Sequence, residues 1–416
     1  AEPVLLETLL PAFEDRNVFL SYGKSIPIDK DGMVLGDYEE IYLDRINVGR
    51  WSKPYVCSDH EEMSNGLGIG NCIPNASAVL FRKFELEPEF KSRLTEMKLC
   101  GDWYFYCRAI RGGRIAYSSR PVNLHRRHDS TVTNEQEGTE RYFRELQTVR
   151  SYVATNYTRT DWAKGQIGKF VSEDLNRFGV EDDAQRSAIL TRAVASGTQK
   201  TIPSLAVVMP DASPGGGQVF AISLANQWAE MGGRVALFNV GQLPDHPAVM
   251  ARIHPNVSYY DFRELPRPFS SYLIELDIDV IQSSIWWADR HVLDSLGDVA
   301  ERSVWVTTMH GCAESILDNP DIDPGFEDRF RRMLDMADAF VYTAEKNQNV
   351  FSKFRYPEKL VRINNGIKSS ETTGLTRDDL GIRPSSLLLC LAARAIAEKG
   401  LREAVELTKR LNSNGV

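Results

Sequence analysis

The residues of this chain best suited to chemistry fall in a few short stretches. Gly215, Gly216 and Gly217, followed by Gln218, make a glycine turn after a short apolar run. Such a turn presents main-chain N–H groups and the positive end of a helix dipole to a polar, anionic ligand. His310, in His310-Gly311, and Asn365, in Asn365-Gly366-Ile367, each follow an expected strand (VWVTT and VRIN), the place where a parallel sheet meets its ligands. Asp102 precedes the aromatic run Trp103-Tyr104-Phe105, where an aspartate is well suited to cap a helix. His125 and His128 are three apart, a spacing that could join two ligands on a helix, although their HRRH setting reads as a solvated basic turn on a loop. By spacing alone, Arg394 and Lys399 read as cations on a solvated face.

The elements that must position these groups follow from periodicity. Residues 205–209 are a short apolar run with paired valines ahead of Pro210, which predicts a buried parallel strand. After the glycine turn, Val219, Ile222, Leu224, Ala225 and Trp228 recur at helical spacing until Gly232 and Gly233 stop the helix, and residues 235–240 form the next strand. Strand, glycine turn, helix and strand open a doubly wound sheet, and alternating elements continue to residue 364. A dinucleotide fingerprint started at Gly215 would need a glycine where Phe220 stands, and the chain holds no G-x-x-x-x-G-K-[ST].

Ahead of this sheet, residues 17–32 predict a strand, a loop and a turn that contains Asp29-Lys30-Asp31. Residues 78–81 predict a second strand, and residues 113–133 a strand running into a basic, histidine-containing loop. Residues 135–157 form a helix with Tyr142, Phe143, Leu146, Val149, Tyr152 and Val153 on one face, packing back on this first region. A polar, partly helical connector then runs to Thr201.

The turn P-x-x-x-x-G-G-G-Q from Pro210 to Gln218, between an apolar strand and its helix, resembles the start of a family 4 glycosyltransferase, a two-domain GT-B enzyme. His310-Gly311, Asn365-Gly366-Ile367 and the segment Arg394 to Lys399-Gly400 keep that family's order, with Ala393 where its usual glycine would stand. The resemblance implies that Gly215, Gly216, Gly217, Gln218 and His310 lie near the transferred sugar and that Asn365 and Gly366 mark a hinge. Arg394 and Lys399 would clamp the donor diphosphate, so that retaining transfer needs no metal in this part. Residues 70–82 (GNCIPNASAVLFR), 98–106 (KLCGDWYFY) and 113–133 resemble the C-terminal half of a family 2 glycosyltransferase of GT-A type. That resemblance implies inverting transfer with Asp102 as the base that takes the acceptor proton. It makes His128 a donor-phosphate or metal-side residue, and a complete unit of this type would use Mg or Mn. The Asp-x-Asp that holds such a metal belongs to the family's earlier half, and here only the turn Asp29-Lys30-Asp31 offers that pattern.

Together these imply an α/β chain organised as a partial GT-A-like region (1–160), a helical linker (161–203), a Rossmann-like GT-B acceptor-side domain (204–375) and the start of a donor-binding domain (376–416). The implied activity is transfer from a nucleotide sugar to a hydroxyl of a glycan or lipid-linked glycan in bacterial surface polysaccharide synthesis. Each unit would be represented by one half only, so the expectation is that these 416 residues turn over no sugar nucleotide alone. The net charge of −8 argues against a phosphate-backbone binder, and no nucleic-acid signature is found. No apolar run approaches the roughly 18 residues of a spanning helix, and the acidic opening AEPVLLETLLPAFEDR is unlike a signal peptide. A cytoplasmic protein is expected, with association at the inner membrane face left open. Six cysteines without C-x-x-C or zinc spacing read as reduced, buried thiols. Two other classes remain: an NAD-dependent oxidoreductase on the same sheet, and a non-catalytic glycan-binding scaffold.

Overall fold

The structure is a computed structural model that describes residues 3–127, 140–195, 202–265, 267–297, 301–311, 313–366, 376–379, 381–383, 385–387 and 401–413. The chain divides into two compact units, Ala1–Asn364 and Asn365–Val416. Within the second, Leu401–Ser413 is an exposed helix with an Arg410–Glu406 pair one turn apart.

The first unit holds two sheets. The smaller has the order β2-β4-β1-β3, with β1 (Val18–Ile28), β2 (Tyr55–Ser58), β3 (Val79–Phe81) and β4 (Arg114–Arg126). Strand β1 runs parallel to β4 and antiparallel to β3, while β2 is antiparallel to β4. His125 therefore lies on a strand, paired with Pro27 in β1, and not on the expected loop. The expected turn at Asp29-Lys30-Asp31 is present: the Asp29 carboxylate accepts the N–H groups of Asp31 and Met33, and Gly32 takes a positive φ. Helix Glu140–Asn156 buries Phe143, Leu146, Val149 and Val153 as its periodicity requires. Helices Asp161–Arg177 and Asp183–Val194 add Ile167, Phe170, Val171, Leu175 and Ala193 to the same core.

The larger sheet is parallel throughout, with the order β11-β10-β9-β8-β5-β6-β7. Its strands are β5 (Leu205–Met209), β6 (Val235–Asn239), β7 (Ser258–Asp261), β8 (Val280–Ser284), β9 (Val304–Met309), β10 (Ala339–Tyr342) and β11 (Leu360–Arg362). Counted within this sheet the order is 3-2-1-4-5-6-7. The chain winds outward from β5 in one direction, then crosses back to continue from β8, which makes the β5/β8 boundary the topological switch point. Separate apolar cores cover its two faces. Side chains alternate accordingly: Ile281 and Trp305 belong to one core, while Leu205 and Val207 belong to the other.

The two sheets are joined by polar contacts. Asn17, at the start of β1, donates from Nδ2 to the Tyr259 carbonyl (2.8 Å) and accepts the Tyr259 N–H (2.7 Å). Tyr259 lies on β7, the edge strand of the large sheet, so the carboxamide supplies the hydrogen bonds a further strand would have made. Beside it the Arg234 guanidinium bridges both Asp59 oxygens (2.9 and 3.2 Å) and donates to the Leu276 carbonyl (2.6 Å).

Candidate functional site

The glycine turn stands at the switch point. The helix that follows it spans Gly216–Glu230, three residues earlier than its apolar spacing indicates, with Gly215 as an N-cap that has no side chain to offer. Val219 N–H is bonded to the Gly215 carbonyl at 2.9 Å. The N–H groups of Gly216, Gly217 and Gln218 precede that first bond and point out of the helix end, as all first-turn amides do. Asp211 shapes the turn: its Oδ1 accepts the Ser213 N–H (2.8 Å) and the Gln218 Nε2 (3.0 Å), which holds Gln218 buried and inward. A Cβ on Gly217 would sit 2.1 Å from Ile285 Cδ1, whereas one on Gly216 would meet nothing within 4 Å. Gly216 is exposed, so the turn is not packed into a closed interior.

His310 follows β9 directly. Its ring meets Phe220, on the glycine-turn helix, edge to face at a centroid separation of 4.7 Å. The imidazole and the glycine turn thus lie over the same face of the sheet at the carboxyl ends of its strands. Burial lowers the His310 pKa, which keeps the ring neutral near pH 7, and its Nε2 is buried without a hydrogen-bond partner. A neutral imidazole with a free nitrogen can exchange a hydrogen bond with a hydroxyl but supplies no charge to an anion.

Strand β8 adds two residues that sequence reasoning missed. Ser284, its last residue, is 1% exposed and its Oγ has no partner. Ile285 follows with φ 75° and ψ 132°, a conformation that β-branched residues avoid. Strain of this kind costs on the order of 1–3 kcal/mol and is concentrated at ligand sites and switches. In the sequence these two residues read as the unremarkable end of QSSI.

On the opposite face, the fully buried Asp289 accepts hydrogen bonds from Ser283 (2.6 Å) and Thr307 (2.7 Å). Desolvation raises its pKa to about 7, against the lowering effect of those two hydroxyls.

Asp102 stands with the smaller sheet, on a helix whose Trp103, Tyr104, Tyr106 and Cys107 enter that sheet's core. Helix Gly101–Ala109 has Cys100 as its N-cap, so Asp102 is the second helical residue and not the cap its sequence position suggested. Its carboxylate accepts the Trp103 N–H at 2.7 Å and lies 3.5 Å from the Asn71 amide nitrogen. The side chain reaches solvent yet is ringed by protein, and desolvation raises its pKa against those two hydrogen bonds. Asn71, Cys100 and Trp103 also line a cavity of about 410 Å³, together with Tyr38, Arg127 and Asp174. His125 is hydrogen-bonded to Tyr38 at 2.7 Å, and burial lowers its pKa, with Arg127 adding to the effect.

Asn365 and Gly366 are exposed, at the division between the two compact units. His128, Arg394 and Lys399 lie outside the described residues. Cys57, Cys72, Cys100 and Cys107 are buried free thiols, and Cys312 and Cys390 lie outside the described residues. Among the described residues no group of His, Cys, Asp and Glu could hold a metal, and no helix is long and apolar enough to cross a membrane.

The geometry bears on the oxidoreductase alternative. A dinucleotide fold places a ribose-binding carboxylate roughly 20 residues beyond its glycines. The residue ending the second strand here is Asn239, whose amide already serves Asp245 (2.9 Å), Tyr259 (3.1 Å) and the Gly241 N–H (3.0 Å).

Residues 214–371 match the family model described as Glycosyltransferase Family 4. The match takes in the glycine turn, Ser284, His310 and Gly366, covers under half of the chain, and leaves the first sheet outside it. A comparison with curated proteins finds no match. The family match supports a glycosyltransferase built on the parallel sheet, with a sugar donor and an acceptor in general.

Proposed function

We propose that the parallel-sheet domain is the acceptor-side half of a glycosyltransferase, which holds a glycan hydroxyl to receive sugar from a nucleotide-sugar donor. One juxtaposition carries this reading. An uncapped helix N-terminus at Gly216 and the imidazole of His310, whose Nε2 has no partner and whose ring packs on Phe220 of that helix, lie together near the switch point of a doubly wound sheet, inside the segment that matches the family model. The main-chain N–H groups suit the oxygen atoms of sugar or phosphate, and the imidazole suits a hydroxyl. The setting that the resemblance suggests is the assembly of a bacterial surface polysaccharide on a glycan or lipid-linked glycan.

For the first sheet we propose a second transferase centre of GT-A type, with Asp102 as the base. Support comes from a carboxylate that is open to solvent, raised in pKa by its surroundings and placed beside a 410 Å³ cavity. A raised pKa brings a carboxylate closer to the working range of a general base.

The test of the sheet reading is ligand binding by the 416-residue chain. Methyl glycosides of glucose, galactose, mannose and N-acetylglucosamine are titrated and followed by saturation-transfer NMR. At least one should receive saturation, and His310→Ala should weaken its binding about fivefold or more. No saturation with any of the four, or binding unchanged in His310→Ala, overturns the reading.

A further inference from the structure

The face of the large sheet that carries His310 ends in a row of polar side chains whose hydrogen bonds can be followed one by one. Alternation along β8 sends Ile281 and Ser283 to the side of helix Trp286–Ser295, where Ser283 meets Asp289, and sends Gln282 and Ser284 to the side of the glycine-turn helix. In β9 the same rule sends Thr307 toward Asp289, and Thr308 and His310 toward the glycine-turn helix. The register pairs Ser284 with Thr308 directly. On this face Gln282 is satisfied, since its Nε2 donates to Thr308 Oγ1 (2.8 Å) and to the Ser283 carbonyl (2.7 Å). One step nearer the strand ends, the satisfaction stops. Ser284 Oγ and His310 Nε2 are both buried and both without a partner. An isolated unpaired hydroxyl in a closed core is a net cost, and native proteins pair such groups or leave them for a ligand.

We propose that Ser284 is a ligand-contacting residue of the site at the switch point, with its hydroxyl exchanging a hydrogen bond with a hydroxyl of the bound sugar next to the one met by His310. The inference rests on the sheet reading above and adds to it a residue that fixes which sugar hydroxyls are recognised. Three independent features converge on it. The hydroxyl is nine-tenths buried and unpaired, the next residue is held in a conformation that β-branched side chains avoid, and Ile285 Cδ1 fills the space a Cβ on Gly217 would occupy. Ser284 is thereby fixed beneath the glycine turn. A second unpaired hydrogen-bonding group on the face that carries His310 makes the site sensitive to the stereochemistry of the sugar hydroxyls, because an epimer that turns one hydroxyl away leaves a buried group unpaired.

The experiment compares Ser284→Ala and His310→Ala in the full chain, with dissociation constants for the four methyl glycosides and thermal midpoints read together. Ser284→Ala should weaken the best-bound glycoside about threefold to tenfold, narrow its margin over the epimeric glycosides, and leave the midpoint unchanged or higher, because an unpaired hydroxyl is removed. If His310→Ala weakens binding while Ser284→Ala leaves it within twofold, the role of Ser284 is overturned and the sheet reading survives. A midpoint lowered by several degrees with binding unchanged makes the hydroxyl structural and also overturns the proposal. If His310→Ala has no effect, or no glycoside binds the unaltered chain, both readings fall together.

Discussion

Arg234→Ala should separate what joins the two sheets from what each sheet does alone. The Arg234 side chain is 4% exposed overall, and Asp59 is fully buried. Asp59 also takes the Gly112 N–H (2.8 Å) and the Tyr157 hydroxyl (3.0 Å), and the guanidinium lies 4.8 Å from the Tyr157 ring centre. Removing the arginine leaves a buried carboxylate with three remaining donors, the Gly112 and His60 N–H groups and the Tyr157 hydroxyl, and no countercharge, and opens a gap over the tyrosine ring. Breaking a buried pair from one side costs about 3–5 kcal/mol, mostly because the surviving charge is uncompensated. Unfolding entropy is about 2.1 cal/mol/K per residue, so a cooperative unit the size of Ala1–Asn364 carries about 0.8 kcal/mol/K and its midpoint should fall by roughly 4–6 °C. Differential scanning calorimetry with matching tryptophan fluorescence measures both the midpoint and the number of transitions. The unaltered chain should melt these 364 residues in one transition, and adding Asp59→Asn to Arg234→Ala should recover part of the loss, because the orphaned charge is gone. A midpoint shift under 1 °C, or a double variant worse than the sum of the singles, would refute the assignment of this pair as the tie between the sheets.

Asp289 predicts a pH signature in stability. Its folded pKa is raised to about 7 while the unfolded value stays near 3.9, so the native state holds the extra proton and stability falls as pH rises between those two values. The full effect is at most about 4 kcal/mol. Asp289→Asn keeps an oxygen for Ser283 and Thr307, and should gain on the unaltered chain between pH 5 and pH 8 in urea titrations; a gap that does not change with pH would count against it. Two glycine substitutions should part company. Gly217→Ala forces Ile285 aside and should cost about 1–3 kcal/mol of stability. Gly216→Ala points into open space and should leave the midpoint within a degree while weakening glycoside binding; equal melting losses would place both glycines in packing alone.

The strands of the large sheet were legible because most are short stretches rich in apolar, β-branched or aromatic residues and bounded by turn residues, and their alternation with helices left little choice but a parallel sheet. Its order was not legible. Nothing local to residues 280–284 says that they return beside residues 205–208, yet that crossover makes the switch point and brings His310 to Phe220. Asp102 shows the limit in the other direction. Aspartate before an aromatic run is a good cap by composition, but the helix starts one residue ahead of it at Gly101, and Asp102 spends one oxygen on its neighbour's N–H instead. Basic, histidine-rich stretches tend to be solvated, which favours a loop at His125, but tertiary pairing with β1 extends the strand through it.

What sequence reading could not reach is the class of residue whose significance is a missing partner. Ser284 has the same local chemistry as Ser283 beside it. The difference between them is which face of the sheet each meets, and therefore that one finds Asp289 while the other finds no hydrogen-bond partner. Periodicity assigns the faces, but only the packed neighbours on each face decide whether a hydroxyl is spent in the fold or remains available to a ligand. The same holds for His310, whose neighbour Phe220 packs against the ring without using its nitrogen. Which polar residues at this switch point are open to a ligand is therefore set by which of them the fold leaves unsatisfied, and Ser284→Ala against His310→Ala tests whether a sugar uses them.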